Sequence, residues 1–396
     1  MVRNLPDTVY RKLLKKKKED GFEGRDWADW LAYVVRDVKL EDDIHSAISR
    51  ATREGLFELW VRNFARNLAS IWEEGSIADL VPPEEEWFRK PSVVIGRGPS
   101  VFRKKHVELL SEYVREEAYT GYVVATDGMF LDCLRRDLLP DYVVNVDGHP
   151  TKIVRWFGDP DFDENNPGAS EEEKRRNEED MELVESFQPE VQMVKVVLSA
   201  TASPNVYRRV REIGMEVYWW IPLFDDPNRA DSFTRLMKMM TKCDRHPRGL
   251  PAMVAGGNCG CASWVLSHAI LRCTPIALIG IDLGYTEDTL LDETSYYKQF
   301  LEGAGGDAER AARALWEVYN PYFKVKARID PVFEHYRQAW LSMLDDVDPR
   351  VETINCTEGG TLFSNDPSKR LKYMRFKEFL ERYGGGKGEV EEEDVC

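Results

Sequence analysis

The residues able to do chemistry in this sequence fall into short polar or glycine-rich clusters, each of which follows an apolar run. Gly96-Arg97-Gly98-Pro99-Ser100 follows Ser92-Val-Val-Ile95. Its glycines let backbone approach a ligand, Pro99 suits a first helical turn, and Ser100 can donate to an anion there. The form is that of a phosphate cradle. It is neither the six-residue dinucleotide fingerprint nor a Walker A loop, since no Gly-Lys-Ser/Thr follows. Thr126-Asp127-Gly128 follows Tyr122-Val-Val-Ala125, and Asp147-Gly148-His149 follows Tyr142-Val-Val-Asn-Val146. A carboxylate so placed can bind Mg2+, accept from a ribose hydroxyl or act as a base, and His149 is a candidate proton carrier. Asp-Gly is also a common turn pair. Gly256-Gly257-Asn258-Cys259-Gly260 mirrors the first loop as a second anion or ribose site, with Asn258 able to read a base or sugar edge. After the run Pro275 to Ile281 come Asp282, which lines the same edge, and Tyr285, which could stack on a ring. Thr357-Glu358-Gly359-Gly360 follows Val351 to Ile354, where a hairpin or cap is as good a reading as a site.

The runs that precede these clusters are short and rich in Val and Ile, and helix-length segments separate them. That rhythm makes βαβ units in a parallel sheet. The expected fold is α/β, a Rossmann-like mostly parallel sheet with helices on both faces, plus helical N-terminal and C-terminal regions. In such sheets ligands bind where strands end and helices begin, so the clusters converge on one edge. Residues 1–88 read as helical: Phe57, Trp60, Val61, Phe64, Leu68, Ile71 and Trp72 recur at three and four. Arg62 and Arg66 flank that stripe, and Val81-Pro-Pro83 with Glu84 to Glu86 makes a linker. Residues 89–293 are expected to form the Rossmann-like domain, a nucleotide-binding catalytic unit if the strand-end clusters serve a ligand, with an acidic insertion at about 159–190. Residues 294–383 read as mostly helical and aromatic, with Tyr296, Tyr297, Trp316, Tyr319 and Tyr322 as core or acceptor-binding residues, and 384–396 as an acidic flexible tail.

Over 396 residues, 43% hydrophobic and 31% charged, the composition is that of a folded globular protein and not a disordered or fibrous one. The net charge of -16 argues against nucleic acid as a partner, whose binding rests on Lys and Arg. Residues 161–190 hold 12 acidic and 3 basic residues, a net of -9, and read as a solvated insertion or helix face. No apolar run reaches the roughly 18 to 20 residues of a membrane helix. The first residues, with the basic run Lys15 to Lys18, lack the apolar stretch of a secretory signal, so a cytoplasmic protein is expected. The seven cysteines include no CxxC pair; Cys259-Gly-Cys261 lacks the spacer of a zinc ribbon or redox motif, and reduced, buried thiols are expected.

Together, Val-Ile-Gly-Arg-Gly-Pro-Ser (94–100), Ala-Thr-Asp-Gly (125–128), Leu-Pro-Asp-Tyr-Val-Val-Asn-Val-Asp-Gly (139–148), Gly-Gly-Asn-Cys-Gly (256–260) and Ile-Gly-Ile-Asp-Leu-Gly-Tyr-Thr (279–286) resemble a domain shared by two groups. One is the archaeal 6-hydroxymethyl-7,8-dihydropterin diphosphokinases (MptE-like). The other is the Maf flagellin glycosyltransferases, which transfer nonulosonic acids from CMP and are similar to a bacterial sialyltransferase fold. The resemblance covers residues 90–290, with an echo at Thr357 to Gly360. It implies a nucleotide or nucleotide-sugar donor, and a small-molecule, glycan or protein acceptor. The diphosphokinase branch carries a further Asp where this chain has Asn145, two positions before Asp147. In that branch alone Asp147 would be a metal ligand, with Mg2+ the only cofactor in view. The N-terminal helical unit, the second glycine loop and the Thr-Glu-Gly-Gly echo resemble the longer glycosyltransferase branch. Its general base has no clear match; Asp147, His149 and His335 are the candidates. A non-catalytic nucleotide- or sugar-binding module is the remaining alternative.

Overall fold

The computed structural model describes Lys15 and residues 56–385. The expectations for the rest of the N-terminal region, for Cys396 and for most of the acidic tail lie outside the described residues. The chain divides into two compact units, Met1–Thr52 with Leu290–Trp316, and Arg53–Thr289 with Glu317–Cys396. In the first, the described part is a 3-10 turn and the helices Tyr297–Gly303 and Ala308–Ala312, which bury Phe300 and Ala311.

The second unit is built on a ten-stranded sheet. Its strands are β1 (Gly75–Ser76), β2 (Ser92–Ile95), β3 (Tyr122–Thr126), β4 (Tyr142–Asn145), β5 (Lys195–Ser199), β6 (Glu216–Pro222), β7 (Ala252–Met253) and β8 (Ile276–Ile279). After β9 (Tyr285–Thr286), β10 (Trp316–Asn320) and β11 (Val325–Ile329), which form a small separate sheet, come β12 (Thr353–Asn355) and β13 (Leu371–Tyr373). The order is β1-β6-β5-β4-β3-β2-β8-β12-β13, with β7 also on β6, and the pairings are parallel.

Strands covered on both faces read as nearly continuous apolar runs, and alternate residues serve opposite sides. Val94, Val124, Val197 and Leu278 face a core that holds Trp264 and Trp340, whose rings lie 5.3 Å apart. Val93, Ile95, Val123 and Ile279 face the other side, against Phe376 and Phe379. The fold is therefore the α/β Rossmann-like arrangement with helices on both faces.

The acidic stretch is a solvated helix face, as its composition suggests: it holds the helix Glu171–Ser186, started by a Ser170/Glu173 capping box. Two details depart from the sequence pattern. The helix-length segment after the first glycine loop is broken into Pro99–Arg103 and His106–Arg115, because Lys105 sits at φ +54. Between the helices of 294–383, expected to be mostly helical, run four strands. In Trp316-Glu-Val-Tyr-Asn320 the more buried Trp316, Val318 and Asn320 alternate with exposed Glu317 and Tyr319, which suits a half-buried strand.

The helix over residues 56–73 buries Phe64 and Ile71 but leaves Phe57, Val61 and Trp72 exposed. Its buried Asn63 and Asn67 have a different task. Asn63 Nδ2 donates to the carbonyls of Gly148 and Thr201, and Asn67 Nδ2 to those of Ala200 and Ala202. The helix thus satisfies buried loop carbonyls that would otherwise be costly.

Candidate active site at the sheet switch point

From β2 the chain winds outward through β3 to β6, and the later strands β8, β12 and β13 lie on the other side. The order therefore reverses between β2 and β8, where an open parallel sheet forms its ligand crevice. The loops that leave these two strands cross backbone to backbone. Gly96 N–H donates to Ile279 O at 2.9 Å and Gly98 N–H to Gly280 O at 2.8 Å. Gly280 has φ +63, and a Cβ there would come 2.1 Å from Gly96 O, so only glycine permits the crossing.

Asp282 ends this second loop. Its Oδ2 accepts from Ser100 Oγ at 2.7 Å and from the Ser100 amide at 3.4 Å. Burial pushes its carboxyl up to about 7, against the pull of the Ser100 bonds and the Arg103 charge. The amides of Gly96, Gly98 and Ser100 are thus already engaged, and a carboxylate stands where a phosphate was expected. In this conformation the first loop is not the anion cradle that its sequence suggests.

Asp127 is buried at the end of β3. Oδ1 accepts from the Gly128 amide and Oδ2 from Asn145 Nδ2, both at 2.8 Å. Burial raises its carboxyl to about 7; the two hydrogen bonds lower it and the Asp147 charge raises it further. Asn145 Nδ2 also reaches Asp147 O, while its buried Oδ1 has no partner among the described residues. Asp147 is exposed and accepts from the His149 amide at 2.9 Å. His149 Nδ1 accepts from the amides of Thr151 and Lys152 at 3.3 and 3.2 Å, which places the ring proton on Nε2. Burial, then the Lys152 charge, lowers its pKa. The ring is thus placed to donate and not to take a proton. Gly148 is buried against Thr201 O, Asn63 and Trp60.

The second glycine loop meets the first through one methyl group. A Cβ on Gly260 would lie 2.7 Å from Ile281 Cδ1, and one on Gly96 2.4 Å from the same atom. Asn258 caps the helix Cys259–Val265, its Oδ1 accepting from the Cys261 amide at 2.8 Å, so that oxygen is not open to read a base. Cys259 Sγ donates to Val144 O at 2.8 Å; burial, then the nearby Asp127 charge, pushes its thiol pKa up. The amides of Gly256, Gly257, Cys259 and Gly260 have no acceptor among the described residues. This loop, and not the first, presents open backbone donors beside the carboxylates.

The loop after β12 closes the other side. Thr361 N–H donates to Asp282 O at 2.7 Å, and Asn320 Nδ2 to Gly360 O at 3.1 Å. Glu358, at φ +54, accepts from the Phe376 amide and lies 3.3 Å from Nε2 of buried His106. Burial raises the Glu358 carboxyl, but the His106 and Phe376 bonds outweigh it and hold it below the ordinary value. Tyr285 OH donates to Asp330 Oδ2 at 2.7 Å and its ring lies edge-on to Phe333, so it braces this region. His335 is on the helix Pro331–Met343, next to Tyr336, the residue a Cβ on Gly257 would strike at 2.4 Å.

The structure thus brings together Gly96 to Ser100, Thr126 to Gly128, Asp147, Gly256 to Gly260, Asp282 and Thr357 to Gly360. Supporting residues the sequence did not single out are Asn63, Asn67, His106, Asn320 and Thr361. Two Asn at a spacing of four in a mostly apolar helix is the one legible signal among them. For Mg2+ the donor set is thin: Asn145 and the Gly128 amide already bond to Asp127, and among the described residues no three His, Cys, Asp or Glu side chains gather to hold a metal. Cys133, Cys261, Cys273 and Cys356 are buried free thiols, and Cys243 and Cys259 are half-buried free thiols. No helix among the described residues is long and apolar enough to cross a membrane.

No protein-family model and no curated protein matches the chain. Among solved structures the chain is similar to the MAf glycosyltransferase from Magnetospirillum magneticum AMB-1, at 13% identity and a TM-score of 0.48. The match covers 84% of this chain and 42% of that one, so the chain spans less than half the length of that protein.

Proposed function

We propose that the chain is a nucleotide-dependent group transferase, a glycosyltransferase that uses a CMP-activated nonulosonic-acid-type sugar. The observation that carries the reading is the set of Gly256, Gly257, Cys259 and Gly260 amides, without an acceptor among the described residues, in the same strand-end region as Asp127, Asp147 and Asp282. The five-motif resemblance supplies the donor class. The donor phosphate lies on the loop amides. An acceptor hydroxyl attacks the anomeric carbon, the bond from that carbon to the phosphate oxygen breaks, and CMP leaves with the bonding electrons. Asp147, exposed and acceptor-only when ionised, takes the hydroxyl proton. The amides stabilise the charge that gathers on the leaving phosphate.

The Mg-dependent diphosphokinase reading finds no support in a donor set in which Asn145 replaces a carboxylate and ties up Asp127. Thermal shift separates the two. CMP raises the melting temperature equally with and without Mg2+, by the increment that about 2.7 kcal/mol gives at 100-fold saturation. A shift seen only with ATP and Mg2+ contradicts the glycosyltransferase reading.

A further inference from the structure

The floor of the crevice carries a pair of side chains that the phosphate reading leaves without a task. Asp282 and Ser100 are both buried, and their bond links the ends of the two loops at the switch point. Partly exposed glycines stand on either side of them. A Cβ on Gly98 would lie 2.0 Å from Asp282 Oδ2, which closes that side to any side chain. A Cβ on Gly359 would lie 3.4 Å from Ser100 Cβ and 3.6 Å from Asp282 Oδ1. The pair is therefore roofed by a residue with no side chain.

Ser100 gives its hydroxyl proton to Oδ2. With Asp282 ionised, as it is above about pH 7, that leaves lone pairs on Ser100 Oγ and on Asp282 Oδ1, both acceptors, side by side. Neighbouring acceptors at the foot of a strand suit a neighbouring pair of hydroxyl donors, and a carboxylate rejects a phosphate at the same place by like charge.

We propose that Asp282 and Ser100, approached past Gly359, form a subsite for the vicinal ribose hydroxyls of the donor nucleotide. This rests on the nucleotide-dependent reading above and deepens it: the nucleoside lies at the first loop and its phosphate at the second. Asp282 is then a specificity-determining residue, accepting from one hydroxyl while Ser100 accepts from the other.

The test is calorimetric titration of the full chain with CMP and with 2′,3′-dideoxy-CMP. The unmodified chain binds CMP at least about tenfold more tightly, the worth of one well-placed hydrogen bond to a charged group. Gly359→Ala makes only ordinary van der Waals contacts and keeps the fold, but its methyl covers the pair, so CMP affinity drops to the dideoxy level. Asp282→Asn keeps an oxygen for the Ser100 hydroxyl and loses the second acceptor, so the ratio between the two ligands shrinks severalfold. A purely structural cap would lower the melting temperature of Asp282→Asn and leave the ratio untouched, which overturns the proposal. Equal binding of both ligands by the unmodified chain overturns it too, and leaves the transferase reading standing. No binding of CMP at all overturns the transferase reading first and this subsite with it.

Discussion

Asp147→Ala lowers turnover by about 10²- to 10⁴-fold, the range that a positioned proton acceptor contributes, while the melting temperature stays within a few degrees. The two halves of this result have separate causes. Asp147 is exposed, and the one bond that its side chain makes among the described residues is the 2.9 Å contact with the His149 amide. Losing it costs about 1 kcal/mol at most. Its carboxylate stands beside the Asp127 and Gly256 to Gly260 groups, with no cation paired to it among the described residues. Release of CMP from a CMP-activated nonulosonic acid measures the loss. His149→Ala costs less, because the one lone pair of Nδ1 is already taken by two amides and is not free to take a proton. If Asp147→Ala turns over normally and His149→Ala does not, the assignment of the base is reversed.

A second large effect is on stability against pH. Asp127 and Asp282 titrate at about 7 in the folded chain against an ordinary 3.8. Between those values the unfolded chain has ionised while the folded one still holds its proton. The folded state then binds more protons, so stability falls as pH rises from about 4 to 7, by at most about 1.4 kcal/mol per pH unit for each group, and levels off above. Below pH 4 both states are protonated and the penalty is absent. Burial moves Asp141, Asp180 and Asp330 in the same direction, so the slope of the unmodified chain is a sum. The difference between it and Asp282→Asn isolates one group: the variant gains relative stability through that window and is the more stable of the two at pH 8. Denaturant midpoints at pH 4.5, 6 and 8 read this directly. A variant less stable than the unmodified chain at pH 8 would show that Asp282 is held ionised.

How much of this was legible in the sequence differs between strands and site. The strands β2, β3, β4 and β8 stood out because each is a short run rich in Val, Ile or Leu covered on both faces, and periodicity hardly enters. The small sheet did not, since Tyr285–Thr286 is too short to carry a pattern and Trp316–Asn320 mixes aromatic with charged residues. The loops of the site were legible from one rule, that polar and glycine clusters at strand ends gather on one edge. Which group bonds to which was not. The tie from Ser100 to Asp282 joins residues 182 apart in the chain, and it reassigns the first loop from anion to hydroxyl recognition. In the same way Asn258 has the right chemistry to read a base, yet its oxygen caps a helix. Residue type sets what a side chain can do, and the neighbours set what it is free to do.

The most direct measurement is a structure of the chain in complex with CMP. The account places phosphate oxygens within hydrogen-bonding distance of the amides of Gly256 to Gly260, with Asp282 still bonded to Ser100. A phosphate seated on the Gly96 to Ser100 turn, with Asp282 swung away from Ser100, would contradict it.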